Sequence, residues 1–422
     1  MTFSKKILSN GLRVITVPMK GNPTVTSLVL VETGSEYEIK KISGLSHFLE
    51  HMCFKGTIKR PRAIDISKEL DGLGAQYNAF TGQEYTGYYA KADSKHFRQI
   101  FDIVSDLYLN PTFPEAEIEK EKGVIVEEIN MYKDTPQRRA PELLAEVLYG
   151  DQPAGWNIAG RPETVRAMAR ENFLRYRKDH YVARATIIIV AGAVSETAVL
   201  NEVKRKFSNI SLGRKHGKLP VREHQASPRA RIEHKKTDQT HLALGFRTFG
   251  AADSRNSVLT VLMAALGSGM SSRLFQRLRE EMGICYYVRA GADAFTDHGY
   301  LEVFTGVDVS RSPLALKAIL EECRRFKNEL LPDSELAKTK EHIIGGLKMG
   351  LESSDDTAFF CGIQEVLRRK LETPAEKERK IRAVSARQVC DLARQIFQTR
   401  KLSLAIVGPF KNTTLFRRAL QV

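Results

Sequence analysis

The chain has 422 residues and carries 65 Lys and Arg against 50 Asp and Glu, a formal net charge of +15 at pH 7. That length exceeds what one hydrophobic core usually serves, so two domains are expected, and 42% hydrophobic with 27% charged residues excludes a disordered chain. No run approaches the ~20 apolar residues of a membrane helix, and five cysteines (Cys53, Cys285, Cys323, Cys361, Cys390), odd in number and without CxxC spacing, argue against a disulfide framework.

The opening "MTFSKKILSNGLRVITVPMK" alternates as strands do and lacks the apolar core and cleavage site of a signal peptide. A cytoplasmic protein is the expectation, with a mature organellar form left open. "TVTSLVLVETG" follows as a further strand. "GLSHFLEHMCF" then reads as a helix whose His47 and His51, four apart, share a face. Glu50, three residues after His47, lies near that face. Cys53, two residues after His51, points away from it and reads as packing. "AIDISKELDGLG" is a second helix and "AQYNAFTGQEYTGYYAKA" a pair of strands. "KHFRQIFDIVSDLYLN" and "PEAEIEKEKGVIVEEINMYKD" are two more helices.

The last of these is dense in carboxylates. Glu121 and Glu128 lie two helical turns apart on one face, whereas Glu127 is rotated by about 100° from Glu128. Ile118, Val124, Ile125 and Ile129 mark its buried side, with Glu121 and Glu128 near the border, where carboxylates need partners. This argument alone leaves Glu127 and Glu128 unseparated. Two histidines do not complete a catalytic zinc site, which takes three protein ligands and an exchangeable position, and this helix is the best source of the third. The order H-x-x-E-H in "HFLEH" is the inverse of the zinc-peptidase H-E-x-x-H. Glu50 is placed to take a proton from an attacking water and pass it to a leaving amine.

Much of the basic excess falls between Lys204 and Lys236, a stretch with Pro220 and Pro228 and no apolar periodicity. It reads as an exposed basic linker. No RNP, KH or zinc-finger pattern accompanies it, so attraction for acidic partners is expected rather than specific nucleic-acid binding. The halves on either side echo each other. "VRAMARENFLRYRKDHYVARATIIIVAGAV" aligns without gaps to "IRAVSARQVCDLARQIFQTRKLSLAIVGPF", pairing Arg166 with Arg382 and Gly192 with Gly408. "FPEAEIEKEKGVIVEEINMY" matches "LPDSELAKTKEHIIGGLKMG" more loosely, and Gly346 stands where the first copy has Glu128. The second half has no HxxEH. The expected fold class is α+β: two related domains with mixed or antiparallel sheets, residues 1–212 carrying the chemistry, 213–230 linking, and 231–422 a degenerate repeat.

These residues together resemble the pitrilysin/insulinase family of zinc metallopeptidases, in its short processing-peptidase-like branch. The resemblance covers essentially the whole chain and rests on "GLSHFLEHMCFKGT", "EKEKGVIVEEINMYKD", "YNAFTGQEYTGYYA" and "SSRLFQRLREEMGICYYV". It implies zinc held by His47, His51 and Glu128, with 76 residues between His51 and Glu128 matching the family spacing and deciding against Glu127. It further implies Glu50 as general base and Glu121 as a support that orients a ligand. An extended peptide would be enclosed between the two halves and added to a sheet edge, with Asn78, Ala79 and Phe80 as backbone contacts. Arg279 and Tyr286 match a pair that assists substrate or oxyanion; from the residues alone they read as a helix-surface charge and a strand residue separated by a turn near Gly283. Members of this branch assemble in pairs, so a homodimer is expected, with a heterodimer with a degenerate homologue left open. Two rivals stand beside a zinc endopeptidase of unstructured peptides: a catalytically silent scaffold of the same fold, and a nucleic-acid-binding protein using the basic linker. Intact ligands and base argue against the first.

Overall fold

A computed structural model describes residues 1–422. The chain divides into two compact units. The first comprises Met1–Ile129, Trp156–Leu219 and Lys348–Thr373; the second comprises Asn130–Gly155, Pro220–Leu347 and Pro374–Val422. This departs from the linear division into 1–212, 213–230 and 231–422, because each half of the sequence gives the other unit a helix.

The first unit is built on a six-stranded sheet: β1 (Ser4–Ile7), β2 (Arg13–Pro18), β3 (Thr24–Val31), β4 (Gln76–Thr81), β5 (Thr86–Asp93) and β6 (Thr186–Gly192). Their order is β1-β2-β6-β3-β5-β4, with β2 and β6 parallel and the other pairs antiparallel. The period of two sends Val14, Val25 and Val29 to one face, against Phe48, Leu49 and Phe101. Ile15, Leu28, Leu30 and Ile189 go to the other, where Ala358, Cys361 and Val366 of the helix Ser354–Arg368 cover them. A sheet buried on both faces explains why "TIIIVAG" reads as a continuous apolar run rather than an alternation.

The second unit repeats the plan with β7 (Arg229–His234), β8 (Gln239–Arg247), β9 (Cys285–Ala294), β10 (Gly299–Asp308) and β11 (Leu402–Gly408), in the order β7-β11-β8-β10-β9. Term by term this is β2-β6-β3-β5-β4 again, including the single parallel pair, β7 with β11. Here the helix Pro136–Tyr149 covers one face through Ala140, Leu143 and Leu144, against Ala243, Ala405 and Val407. The fold class is mixed α+β, as expected, and the repeat is topological as well as sequential.

The stretch read as an exposed linker differs from that reading. It ends in a strand, since β7 begins at Arg229. Its lysines also reach inward. Lys215 contacts Glu32, a buried carboxylate that also pairs with Arg13 at 3.0 Å and Arg369 at 2.6 Å. Lys218 Nζ lies 2.7 Å from Glu36 and 3.1 Å from Glu84. Part of the positive excess therefore compensates buried acid within the first unit rather than forming a solvated face. No helix is long and apolar enough to cross a membrane.

Candidate metal centre

The two expected motif helices lie where the sequence placed them, at Leu45–Cys53 and Glu115–Asp134. The histidine helix starts at Gly44, whose φ of +97° suits glycine and whose added Cβ would stand 2.5 Å from the Ala159 carbonyl oxygen. Its first N–H groups lack intrahelical acceptors, and buried Glu38 supplies them, accepting from Gly44 N at 2.7 Å and Ser46 N at 2.6 Å. Burial pushes the Glu38 carboxyl up to about 8, against the pull of those bonds. The helix buries Phe48, Leu49 and Met52 completely, with Phe48 edge-on to Phe173 at 4.9 Å. Cys53 is buried and its thiol donates to the Tyr88 hydroxyl at 3.4 Å, the packing role expected of it. Burial raises that thiol to about 11, which leaves it inert.

On the opposite face the histidines converge with the glutamate helix. His47 Nε2 stands 3.7 Å and His51 Nε2 3.6 Å from the same Glu128 oxygen, Oε2. Within the group His47, His51 and Glu128, the candidate ligand atoms lie within 4.8 Å of one another. Separations of 3.6–3.7 Å are too long for hydrogen bonds. They are close to the edge of about 3.4 Å that a tetrahedron would have with zinc bonds of about 2.0–2.1 Å. Glu127 is exposed while Glu128 is only partly so, and it is Glu128 that faces both histidines. The buried side of this helix also differs by one position: Val124 is 52% exposed and Val126 is buried instead.

Glu121 reaches the same histidine helix. It is buried, its Oε1 lies 2.9 Å from His51 Nδ1, and its Oε2 pairs with Lys55 at 2.6 Å. An Nδ1–H donated to this carboxylate leaves His51 Nε2 as the lone-pair nitrogen facing Glu128. Burial, then the charge of His51, holds the His47 imidazole at about 4, neutral at pH 7 as ligation requires. On His51 burial acts in the same direction, but the Glu121 hydrogen bond and the charges of Glu50, Glu121 and Glu128 outweigh it and raise the pKa. Three carboxylates therefore create a site that favours positive charge. A neutral imidazole, an oriented imidazole and a carboxylate form the donor set of a divalent ion such as zinc, and the residues fit it.

Glu50 stands beside this group. Burial raises its carboxyl pKa, opposed by a hydrogen bond from Thr81 Oγ1 at 2.6 Å and by His51. Thr81 is the last residue of β4, an edge strand paired with β5 on one side and with no strand on the other. Asn78 is exposed, with Oδ1 accepting from Ala79 N at 2.9 Å; Ala79 is buried; and Phe80 packs on Phe359 at 5.4 Å. In the second unit, Gly283 at φ +58° turns the chain between the helical segment Phe275–Glu281 and β9, as expected. This brings Arg279 and Tyr286 together: the guanidinium lies 4.6 Å from the ring centroid and donates to the Tyr286 carbonyl, and Tyr286 is 77% exposed. Sequence reasoning missed Glu38, Lys55 and Thr81. Each is an ordinary polar residue whose partner is set by the fold, and no local pattern marks it.

Sheets and site together define a duplicated α+β protein whose first repeat carries a candidate metal centre of two histidines and one carboxylate. Residues 13–161 match Insulinase (Peptidase family M16), and residues 167–343 match the Peptidase M16 inactive domain. An uncharacterised zinc protease of Bacillus subtilis, YmxG, is 35% identical over 406 residues, covering 96% of this chain and 97% of its own. An uncharacterised zinc protease of Rickettsia felis is 32% identical over 408 residues, covering 96% and 98%. Among solved structures, a protease from Helicobacter pylori superposes with a TM-score of 0.90 at 21% identity, covering 96% of this chain and 99% of that one. The chain belongs to the insulinase family of peptidases, M16.

Proposed function

We propose that this protein is a zinc-dependent endopeptidase that hydrolyses extended, unstructured peptides or presequence-like segments. The observation that carries the reading is the convergence of His47 and His51 on one oxygen of Glu128 beside the partly buried Glu50. The zinc-protease names of relatives at 35% and 32% identity support the metal and the reaction class. His47, His51 and Glu128 would hold the ion. Zinc, when bound, would lower the pKa of water toward neutrality and polarise a scissile carbonyl.

The chain's own residues do the rest. Glu50, with its pKa raised by burial, accepts a proton from the attacking water and delivers it to the leaving amine. Thr81 fixes the carboxylate's direction, and Glu121 fixes the His51 ring. The open edge of β4 suits an added peptide strand, with main-chain groups at Asn78, Ala79 and Phe80 supplying affinity independent of sequence. Roles for Arg279 and Tyr286 on the substrate, its enclosure between the halves, and a homodimeric assembly rest on the family resemblance.

The test is cleavage of a mixed library of unstructured peptides by zinc-loaded protein beside Glu50→Gln at equal zinc occupancy. Cleavage by the wild type alone is expected. Equal inertness of both proteins, with zinc and peptide bound, would replace this reading with the scaffold.

A further inference from the structure

We infer that Lys218, in the segment between the repeats, is a positioning residue for the β4 edge strand. This rests on the proposed use of that edge by peptide. The segment's backbone lies at the surface, with Gly217 exposed and Leu219 69% exposed, yet the Lys218 side chain is only 7% exposed. Its ammonium lies between two carboxylates that are themselves almost fully buried, Glu36 at 2.7 Å and Glu84 at 3.1 Å. A lysine that turns inward from a surface segment gives up hydration and side-chain freedom, so a specific arrangement must offset both.

The two carboxylates belong to the segments that set the end of β4. Glu84 is in the turn Gly82–Tyr85, which joins Thr81 of β4 to Thr86 of β5. Glu36 follows Gly34 and Ser35, whose backbone fits closely against that turn. Ser35 N donates to Gly82 O at 3.2 Å and Glu36 N to Gln83 O at 2.9 Å, and a Cβ on Gly34 would stand 2.2 Å from Gly82 O. Lys218 thus bridges two carboxylates that this close backbone approach brings together, and offsets their repulsion. It thereby holds the turn that ends β4, whose final residue Thr81 bonds Glu50. The remaining lysine of the segment, Lys215, does not share this role, because its partner Glu32 follows β3 and bonds Ala185 O through its backbone rather than the turn that ends β4.

The proposal predicts that Lys218→Met raises KM for an extended peptide about tenfold and lowers kcat by a smaller factor, about threefold, since the strand both binds substrate and ends in the Thr81 that orients Glu50. Amide exchange over residues 76–85 should speed up by about tenfold at unchanged zinc content. Lys218→Arg should restore both, and Lys215→Met should change neither. Where Lys218→Met does not fold, the triple variant Lys218→Met, Glu36→Gln, Glu84→Gln removes the buried charges together and should fold with the same loosened strand. Folded variants with wild-type exchange over 76–85 and wild-type KM would overturn the proposal. A wild type that cleaves no peptide would instead sink the peptidase reading, and the exchange comparison would still decide whether Lys218 holds the strand.

Discussion

Replacing Glu121 tests how the site is built, because this residue bonds a proposed ligand without being one. In Glu121→Ala, His51 Nδ1 loses its partner at 2.9 Å, and the ring is free to rotate and exchange tautomers. Lys55 loses its 2.6 Å pair as well, but its side chain is 26% exposed and can turn to water, so that loss adds little. The main effect falls on the metal: removing the partner that orients a ligating histidine typically weakens binding about 10- to 100-fold, or about 1.4–2.7 kcal/mol. Glu121→Gln keeps an acceptor for the Nδ1 proton but removes the charge, so a smaller loss is expected, of a few fold. The assay is zinc affinity by competition with a chromophoric chelator. Glu127→Ala, one residue before the proposed ligand but exposed, serves as control and should bind zinc as the wild type does. Wild-type affinity in Glu121→Ala, or equal losses in Glu121→Ala and Glu127→Ala, would refute the reasoning.

Three further outcomes follow from the packing around the site. Phe48→Ala empties a completely buried position behind the histidines and should cost about 3–5 kcal/mol in urea unfolding; a loss below about 1 kcal/mol would show that the helix is not anchored there. Gly44→Ala meets a positive φ and the Ala159 carbonyl together, so it should destabilise the protein by more than about 1 kcal/mol and lower zinc affinity with it. Burial, then the charge of His216, pushes His180 down to about 4. Because the folded state then binds fewer protons than the unfolded chain between pH 6.5 and 4, stability falls as pH falls through that window. His180→Gln in chelated protein should therefore lose less stability than the wild type between pH 7 and 5, and parallel losses would count against the assignment.

The sequence by itself determined the local and the periodic. A step of four from His47 to His51, and of seven from Glu121 to Glu128, places each pair on one helix face wherever the helix lies, because the helical period does not depend on context. The repeat was legible for the same reason: the same strand order recurs where "TIIIVAG" and "LSLAIVG" align. Tertiary structure alone decided what those faces meet. The helical period left Glu127 and Glu128 unseparated and only the family resemblance chose between them; the approach of two helices exposes one and sets the other against both histidines. Val124, expected on the buried side, is exposed for the same reason, since burial is a property of the neighbour across the contact. The helices Pro136–Tyr149 and Ser354–Arg368 look alike in amphipathic pattern, and only the sheets they cover show that each belongs to the unit built mainly from the other half. Lys215 and Lys218 sit in a proline-containing, charged stretch that reads as solvated. Their burial follows from carboxylates at Glu32, Glu36 and Glu84, more than a hundred residues earlier, whose own burial would be costly without a cation.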